Sequence, residues 1–378
     1  MNYTFLDLAI VNRPYMPAIE ERVASVVRSG RYVGGPEVEA LECNLKSLSL
    51  LPPEKQPFAI GVSNGLDALR LILRSWIEMG RLAPADEVIV PANTYIASVL
   101  AIVDAGLTPV LAEPSDATFN LDTSRLDQYL TPRTRAIMPV HLYGKVCWDE
   151  RLKSFALRNN LLIIEDNAQA IGAKADINGL NSTRASGMLG HAGAISFYPT
   201  KNLGALGDAG AVVTFDAELA KTVRALANYG SDRRYHNIYA GFNCRLDPVQ
   251  AAALNVKFPD LDNVNDHRRK LALTYCQLIS NPLVTLPAIS GSDHVWHQFV
   301  IRIADRPDFL KHLEANGVGY DIHYAVPPHL QPCFASLPHA PLPLTERLAR
   351  EIVSLPISAC TSIPDAEAIA TIINNYKK

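Results

Sequence analysis

The chain has no long apolar run, no surplus of charge, no paired cysteines and no internal repeat, and each absence removes a class of function. No hydrophobic stretch approaches the roughly 20 residues that span a bilayer. The opening residues, Met1-Asn2-Tyr3-Thr4-Phe5-Leu6-Asp7, carry neither the basic nor the apolar segment of a secretion signal. Thirty-five Lys and Arg face 38 Asp and Glu, a net charge of -3 with no basic stripe, so the electrostatic footprint of a nucleic-acid binder is missing. The six cysteines (Cys43, Cys147, Cys244, Cys276, Cys333, Cys360) form no C-x-x-C pair and read as free thiols of a reducing compartment, with no zinc or other metal site. Asn181-Ser182-Thr183 fits the glycosylation pattern but carries no weight without secretion. The expectation is a cytoplasmic protein that binds neither membrane nor nucleic acid.

What remains is an ordinary globular composition, 48% hydrophobic over 378 residues, long enough for two domains with a sizeable core. Short β-branched runs alternate with helix-compatible stretches. The runs are Glu87–Val90, Thr108–Leu111, Ala136–Val140, Leu161–Ile164, Ala211–Val213 and Ala194–Tyr198; Ile96–Asp104 and Asp149–Asn159 carry apolar residues at helical spacing. This alternation predicts an α/β fold, a mainly parallel sheet flanked by helices, with ligands at the carboxyl ends of the strands. After about residue 256 the texture changes to one long helix (Leu254–Ile279), Pro-rich turns, a strand (Gln298–Ile303) and a final helix. The expected division is a large domain over 1–256 and a smaller C-terminal α/β domain over 257–378.

Three segments at expected strand ends carry chemistry. Gly61-Val62-Ser63-Asn64-Gly65 turns straight into a helical stretch, whose N-terminus suits a phosphate; the plainer reading is a helix capped by Ser63 or Asn64. Leu161-Leu162-Ile163-Ile164-Glu165-Asp166 runs an apolar strand into two carboxylates, a costly position unless they meet a cation or donors, in a ligand site or in a structural cap. Ser196-Phe197-Tyr198-Pro199-Thr200-Lys201 places one lysine after a buried-looking strand, where desolvation frees the neutral amine for Schiff-base chemistry. The following Gly204, Gly207 and Gly210 fit neither common nucleotide-loop spacing. An anion-binding turn, an acid and a lysine in that order are what pyridoxal 5'-phosphate requires, and Tyr95 in Pro91-Ala92-Asn93-Thr94-Tyr95 supplies an aromatic for its ring.

At these residues the chain resembles the DegT/DnrJ-type nucleotide-sugar aminotransferases, within the pyridoxal phosphate enzymes of fold type I. The likeness also covers Tyr32-Val33-Gly34-Gly35-Pro36, Glu165-Asp166-Asn167-Ala168-Gln169-Ala170, Asn243–Ala252 and Ile322-His323-Tyr324 followed by His329 and Gln331. The resemblance implies that Lys201 is the catalytic, cofactor-carrying lysine and that Asp166 partners the pyridine nitrogen. Gln169 would bond the ring hydroxyl, Tyr95 would stack on the ring, and Asn64, Gly65 and Ser196 would hold the phosphate. Asn243 would reach that phosphate from the other subunit of a homodimer with shared sites, while Tyr324 and His329 would contact substrate. The plainer reading of Asn243 is a turn residue or cap before a helix starting near Pro248, with Arg245 and Asp247 as a capping ion pair.

The chain departs from the family pattern at Asn167, Ile171 and His191, positions that bear on substrate preference more than on cofactor chemistry. The implied reaction moves an amino group, from glutamate by resemblance, to a nucleotide-linked keto-deoxysugar. The wording around Ser63–Leu69 and Pro91–Tyr95 resembles enzymes that aminate the 3-keto carbon of dTDP-6-deoxyhexoses; branches acting on a 4-keto carbon share most of these residues. A non-catalytic cofactor-binding regulator is the reading from another class, and the presence of Lys201 argues against it.

Overall fold

The apolar runs assemble into one seven-stranded sheet in the computed structural model, which describes residues 3–176 and 183–377. Its strands are β1 (Phe58–Val62), β2 (Glu87–Pro91), β3 (Thr108–Ala112), β4 (Thr134–Ile137), β5 (Leu162–Asp166), β6 (Ala192–Ser196) and β7 (Gly210–Thr214), in the order β1-β7-β6-β5-β4-β2-β3. β7 runs antiparallel to both its neighbours, and the other pairings are parallel. Asn181 and Ser182 of the glycosylation-like triplet lie outside the described residues.

Side chains alternate between the two faces. Val212 of β7 joins the core around Trp76 and Leu71 of the helix Gly65–Glu78, while Ala211 and Val213 join a second core with Leu41, Phe197 and Leu254. Both faces are covered, which is why the strands read as nearly continuous apolar runs.

A three-stranded antiparallel sheet, β8 (Val284–Thr285), β9 (Phe299–Ile303) and β10 (Ile352–Leu355), has its own core around Tyr275, Phe299, Phe309 and Ile369. Tyr3 bridges Val318, so the start of the chain lies against this layer.

Several expected boundaries move. The single helix expected over Leu254–Ile279 is two, Pro248–Lys257 and Leu261–Leu278, joined by a 3-10 turn at Phe258–Asp260. Pro259 cannot donate to the preceding turn, so the helix breaks there. The strand expected over Ala194–Tyr198 is Ala192–Ser196, because Pro199 ends extended pairing early, and that expected over Ala136–Val140 is Thr134–Ile137. β1 is missing from the sequence-read strands since Gly61 interrupts its apolar run; that glycine admits Leu246, whose Cδ2 would lie 2.7 Å from any Cβ.

Candidate active site

The carboxyl ends of β1, β5 and β6 and the start of antiparallel β7 meet at one edge of the sheet, where a cleft of about 500 Å³ opens. Asn64, Gly65, Tyr95, Asp166, Gln169, Ser196, Lys201 and Tyr324 all line it.

β5 separates its two carboxylates by alternation. Glu165 is fully buried on the far side and accepts hydrogen bonds from His141 Nε2 (2.8 Å) and from the N–H groups of Gly187 (2.7 Å), Leu189 (2.6 Å) and Gly190 (2.7 Å). His141 Nδ1 accepts from Cys147 N–H at 3.0 Å, so the proton sits on Nε2 and points at Glu165. This carboxylate is structural. Glu165→Gln is expected to lower stability by about 2–4 kcal/mol, because an amide NH2 would face N–H donors in a dry interior. A denaturant midpoint within error of the unsubstituted protein would contradict that reading.

Asp166 faces the cleft, 5% exposed. Its Oδ1 accepts from Ala168 N–H (3.1 Å) and its Oδ2 from Ser98 Oγ (2.7 Å). Since the Ser98 proton goes to Asp166, the Thr94 hydroxyl, 2.8 Å away, donates to Ser98. The carboxylate is thus held by a two-hydroxyl relay at the start of the helix Ile96–Asp104.

Lys201 sits half-buried in the loop between β6 and β7, its N–H on Tyr198 C=O at 2.8 Å. Burial pushes its ammonium down to about 8, with the Asp166 carboxylate pulling the other way. A second lysine is equally lowered by burial, Lys257 at about 8. Lys257 Nζ, however, is committed to Gly204 C=O (2.6 Å) and Asn12 Oδ1 (2.9 Å), bracing the loop from beneath.

The turn after β1 has the helix cap that the sequence offered as its plainer reading. Asn64 caps the helix, its Oδ1 accepting from Asp67 N–H at 2.8 Å, and its Nδ2 donates to Asp67 Oδ2 at 3.0 Å. With the Asn64 side chain so engaged, the first-turn N–H groups of Gly65 and Leu66, which helix geometry leaves without intrahelical partners, are the groups of this turn able to donate to an anion. Gly65 is a glycine by necessity: a Cβ there would lie 2.6 Å from Ser196 Cβ and 3.1 Å from its Oγ. Gly65→Ala is expected to displace Ser196 and weaken pyridoxal phosphate binding by about tenfold or more, about 1.4 kcal/mol. Equal affinity by equilibrium titration would remove this cradle from the phosphate.

Gln169 joins the two sides of the cleft. Tyr143 N–H donates to its Oε1 (2.5 Å), which turns its Nε2 toward Tyr324 Oη (2.9 Å). Tyr324 in turn lies 5.1 Å from the Tyr95 ring, and burial pushes its phenol well above the ordinary range.

Two expected site residues lie elsewhere. His329 is buried in the turn Pro328–Leu330, 3.5 Å from Glu346 and against the His339 ring, and does not line the cleft. Asn243 also lies outside it: its backbone bridges Asn228, just beyond an exposed hairpin (Ser231–Arg233 with His236–Asn237) on which Tyr235 is 87% exposed. Asn243 does not cap the next helix either, since Asp247 takes that position. Arg245 bonds Asn228 Oδ1 at 2.8 Å rather than pairing with Asp247. Sequence reasoning missed Thr94, Ser98 and His297. The first two look like ordinary helix-start residues, and His297 reaches the cleft only through the tertiary fold.

A model of the DegT/DnrJ/EryC1/StrS aminotransferase family matches residues 16–374. The dTDP-3-amino-3,6-dideoxy-alpha-D-galactopyranose transaminase of Aneurinibacillus thermoaerophilus is 43% identical, over 98% of this chain and 99% of that one. The dTDP-3-amino-3,4,6-trideoxy-alpha-D-glucose transaminase of Streptomyces venezuelae is 40% identical, over 98% and 95%. Among solved structures, S. venezuelae DesV in complex with a ketimine intermediate superposes with a TM-score of 0.91 at 41% identity, covering 99% of this chain and 98% of that one.

Proposed function

The chain belongs to the DegT/DnrJ/EryC1/StrS aminotransferase family and is a pyridoxal phosphate-dependent aminotransferase, and from that premise we propose that it aminates the keto carbon of dTDP-3-keto-6-deoxyhexose, giving a dTDP-3-amino-3,6-dideoxyhexose, with L-glutamate as donor. The observation that carries this reading is the meeting of Lys201 and Asp166 in one cleft with the Gly65–Ser196 cradle. Both relatives described above are named for 3-amino sugars, which favours the 3-keto over the 4-keto substrate. The reaction belongs in the cytoplasm, and the division near residue 256 into a large cofactor-binding and a small domain is part of the same reading.

The residues present fit the cofactor. A cradle too tight for any Cβ suits a phosphate, and the cleft holds the Asp166 and Asp208 carboxylates and one lysine of suppressed basicity. Lys201 would hold the aldehyde carbon and Asp166 the ring nitrogen. Gln169 would hold the ring hydroxyl and Tyr95 the ring face, with Ser196, Gly65 and the Asn64 turn on the phosphate. When bound, pyridoxal phosphate supplies the electron sink that lets an amine and a ketone exchange places. Asp166 keeps a proton on the ring nitrogen, and the Ser98 relay holds the carboxylate in place. Lys201 Nζ takes the proton from the α-carbon of glutamate and, in the return direction, delivers one to the former keto carbon of the sugar. Tyr324, in ring contact with Tyr95, would meet the sugar. Spectra of the holoenzyme test the donor: L-glutamate alone is expected to bleach the cofactor band with stoichiometric release of 2-oxoglutarate, and no change would contradict it.

The same reading makes the protein a homodimer with shared sites, Asn243 of each subunit completing the other's phosphate cradle. Its support is the position of Asn243 outside its own cleft, beside an exposed hairpin. His329 is retained as a substrate contact only by resemblance, its ring being buried away from the cleft. Mixing Lys201→Ala with Asn243→Ala subunits is expected to restore activity, because one site of each hybrid has both residues intact. No recovery after verified subunit exchange would remove Asn243 from the shared site.

A further inference from the structure

Two imidazoles, His297 and His323, line the cleft. His297 lines the cleft with Lys201, yet its residue is only 5% exposed. Its Nδ1 lies 3.3 Å from Oδ1 of Asn202, the residue that follows Lys201. Asn202 Nδ2 donates to Val295 C=O (3.0 Å) and to Asn265 Oδ1 (2.8 Å), and Asn265 Nδ2 donates to Ile171 C=O (3.1 Å).

The two backbone carbonyls settle every orientation in this chain of side chains, because a carbonyl only accepts. Val295 fixes the Asn202 NH2, so the atom facing His297 is an oxygen. Nδ1 must therefore carry the imidazole proton, which leaves Nε2 with its lone pair and, among the described residues, without a hydrogen-bond partner. The backbone is pinned as well: Arg268, three residues beyond Asn265 on the same helix face, donates to the carbonyls of Trp296 (3.1 Å), His297 (3.1 Å) and Ile357 (2.7 Å).

We propose that His297 is a positioning residue for the Lys201 amine, its Nε2 accepting a hydrogen bond from Nζ when the amine is released from the cofactor during turnover in the loaded cleft. The inference rests on Lys201 being the cofactor-carrying lysine. A neutral amine has two N–H bonds and one lone pair. Anchoring one N–H on Nε2 keeps the lone pair free for the α-carbon proton and opposes rotation of the amine toward the Asp166 carboxylate. The imidazole does not intercept that proton, because burial above all, with the Arg268 guanidinium and the Lys201 and His323 side chains around it, pushes its basicity well below the ordinary histidine range. Asn202 and Asn265 thus connect the Lys201 loop to the helix Leu261–Leu278.

Nitrogen-15 NMR of histidine-labelled protein without cofactor reads the tautomer directly. The expected His297 signal is protonated at Nδ1 and bare at Nε2, unchanged through neutral pH; a cationic ring or a proton on Nε2 would overturn the proposal. The kinetic arm compares three holoenzyme variants in single turnover with L-glutamate. His297→Phe is expected to slow the half-reaction by about 10²-fold with the glutamate dissociation constant changed less than about threefold. His297→Gln, whose amide reaches the Nε2 position, is expected to recover about tenfold of that loss, whereas His297→Asn, reaching only the Nδ1 position, stays as slow as Phe. Equal rates for Gln and Asn, or a Phe variant within about twofold of the unsubstituted enzyme, would overturn the positioning role. Borohydride reduction and peptide mapping of each variant keep the two levels apart: cofactor trapped on Lys201 supports the underlying reading, and cofactor trapped elsewhere overturns it and this proposal together.

Discussion

Lys201→Ala is expected to abolish amino transfer, by at least about 10⁴-fold, while leaving the fold intact. Lys201 contributes the only cationic amine lining the cleft among the described residues, so no neighbour can take its place. Cofactor should still bind through the Gly65–Ser196 cradle. The pH dependence carries the sign of the lowered ammonium. Below about 8 the amine is charged, and capture of added pyridoxal phosphate by the cofactor-free protein should speed up by about tenfold per pH unit up to that point and then level off. The same shift bears on stability. The folded state penalises the charged form relative to the unfolded chain, whose lysine titrates near 10.5, so the penalty is present below about 8 and fades between about 8 and 10.5. Cofactor-free enzyme should therefore gain stability relative to Lys201→Ala as pH rises through that window. Turnover within tenfold of the unsubstituted enzyme would remove Lys201 from the chemistry.

Asp166→Asn is expected to lower the rate by about 10²-fold or more, several kcal/mol of transition-state stabilisation, because the ring nitrogen loses its charged partner. Stability should change by less than about 1 kcal/mol. The new NH2 can face Ser98, whose hydroxyl then turns to donate to Thr94 at 2.8 Å, while the amide oxygen keeps the Ala168 N–H. An unchanged rate with an unchanged cofactor spectrum would assign Asp166 to structure alone.

The chemistry was legible wherever a strand end broke its own apolar pattern. Asp166 and Lys201 stand out because polar residues follow runs that are buried on both faces, and the Gly65 turn because it runs straight into a helical stretch. The strand itself did not show the division of labour between Glu165 and Asp166, which only the family resemblance had assigned. Both end the same strand, and only the position of His141 and the Gly187–Gly190 turn shows which one is walled in. Lowered basicity alone would not have singled out Lys201, since Lys257 is shifted as far; the carbonyl contact of Lys257 is what marks it as a brace. The Asn202–His297 contact joins residues 95 apart in sequence, and no periodicity reports such a pairing. Pro259 was the one local signal available and unused, for a helix read through a proline is read too long.

The most direct test of the account is one incubation of the holoenzyme and L-glutamate with dTDP-3-keto-6-deoxyhexose and, separately, with the 4-keto isomer, followed by mass and NMR identification of the sugar. The account predicts a dTDP sugar carrying its new amino group at C3, formed from the 3-keto substrate alone and lost in Lys201→Ala. Amination of the 4-keto isomer in preference, or of neither, would contradict it.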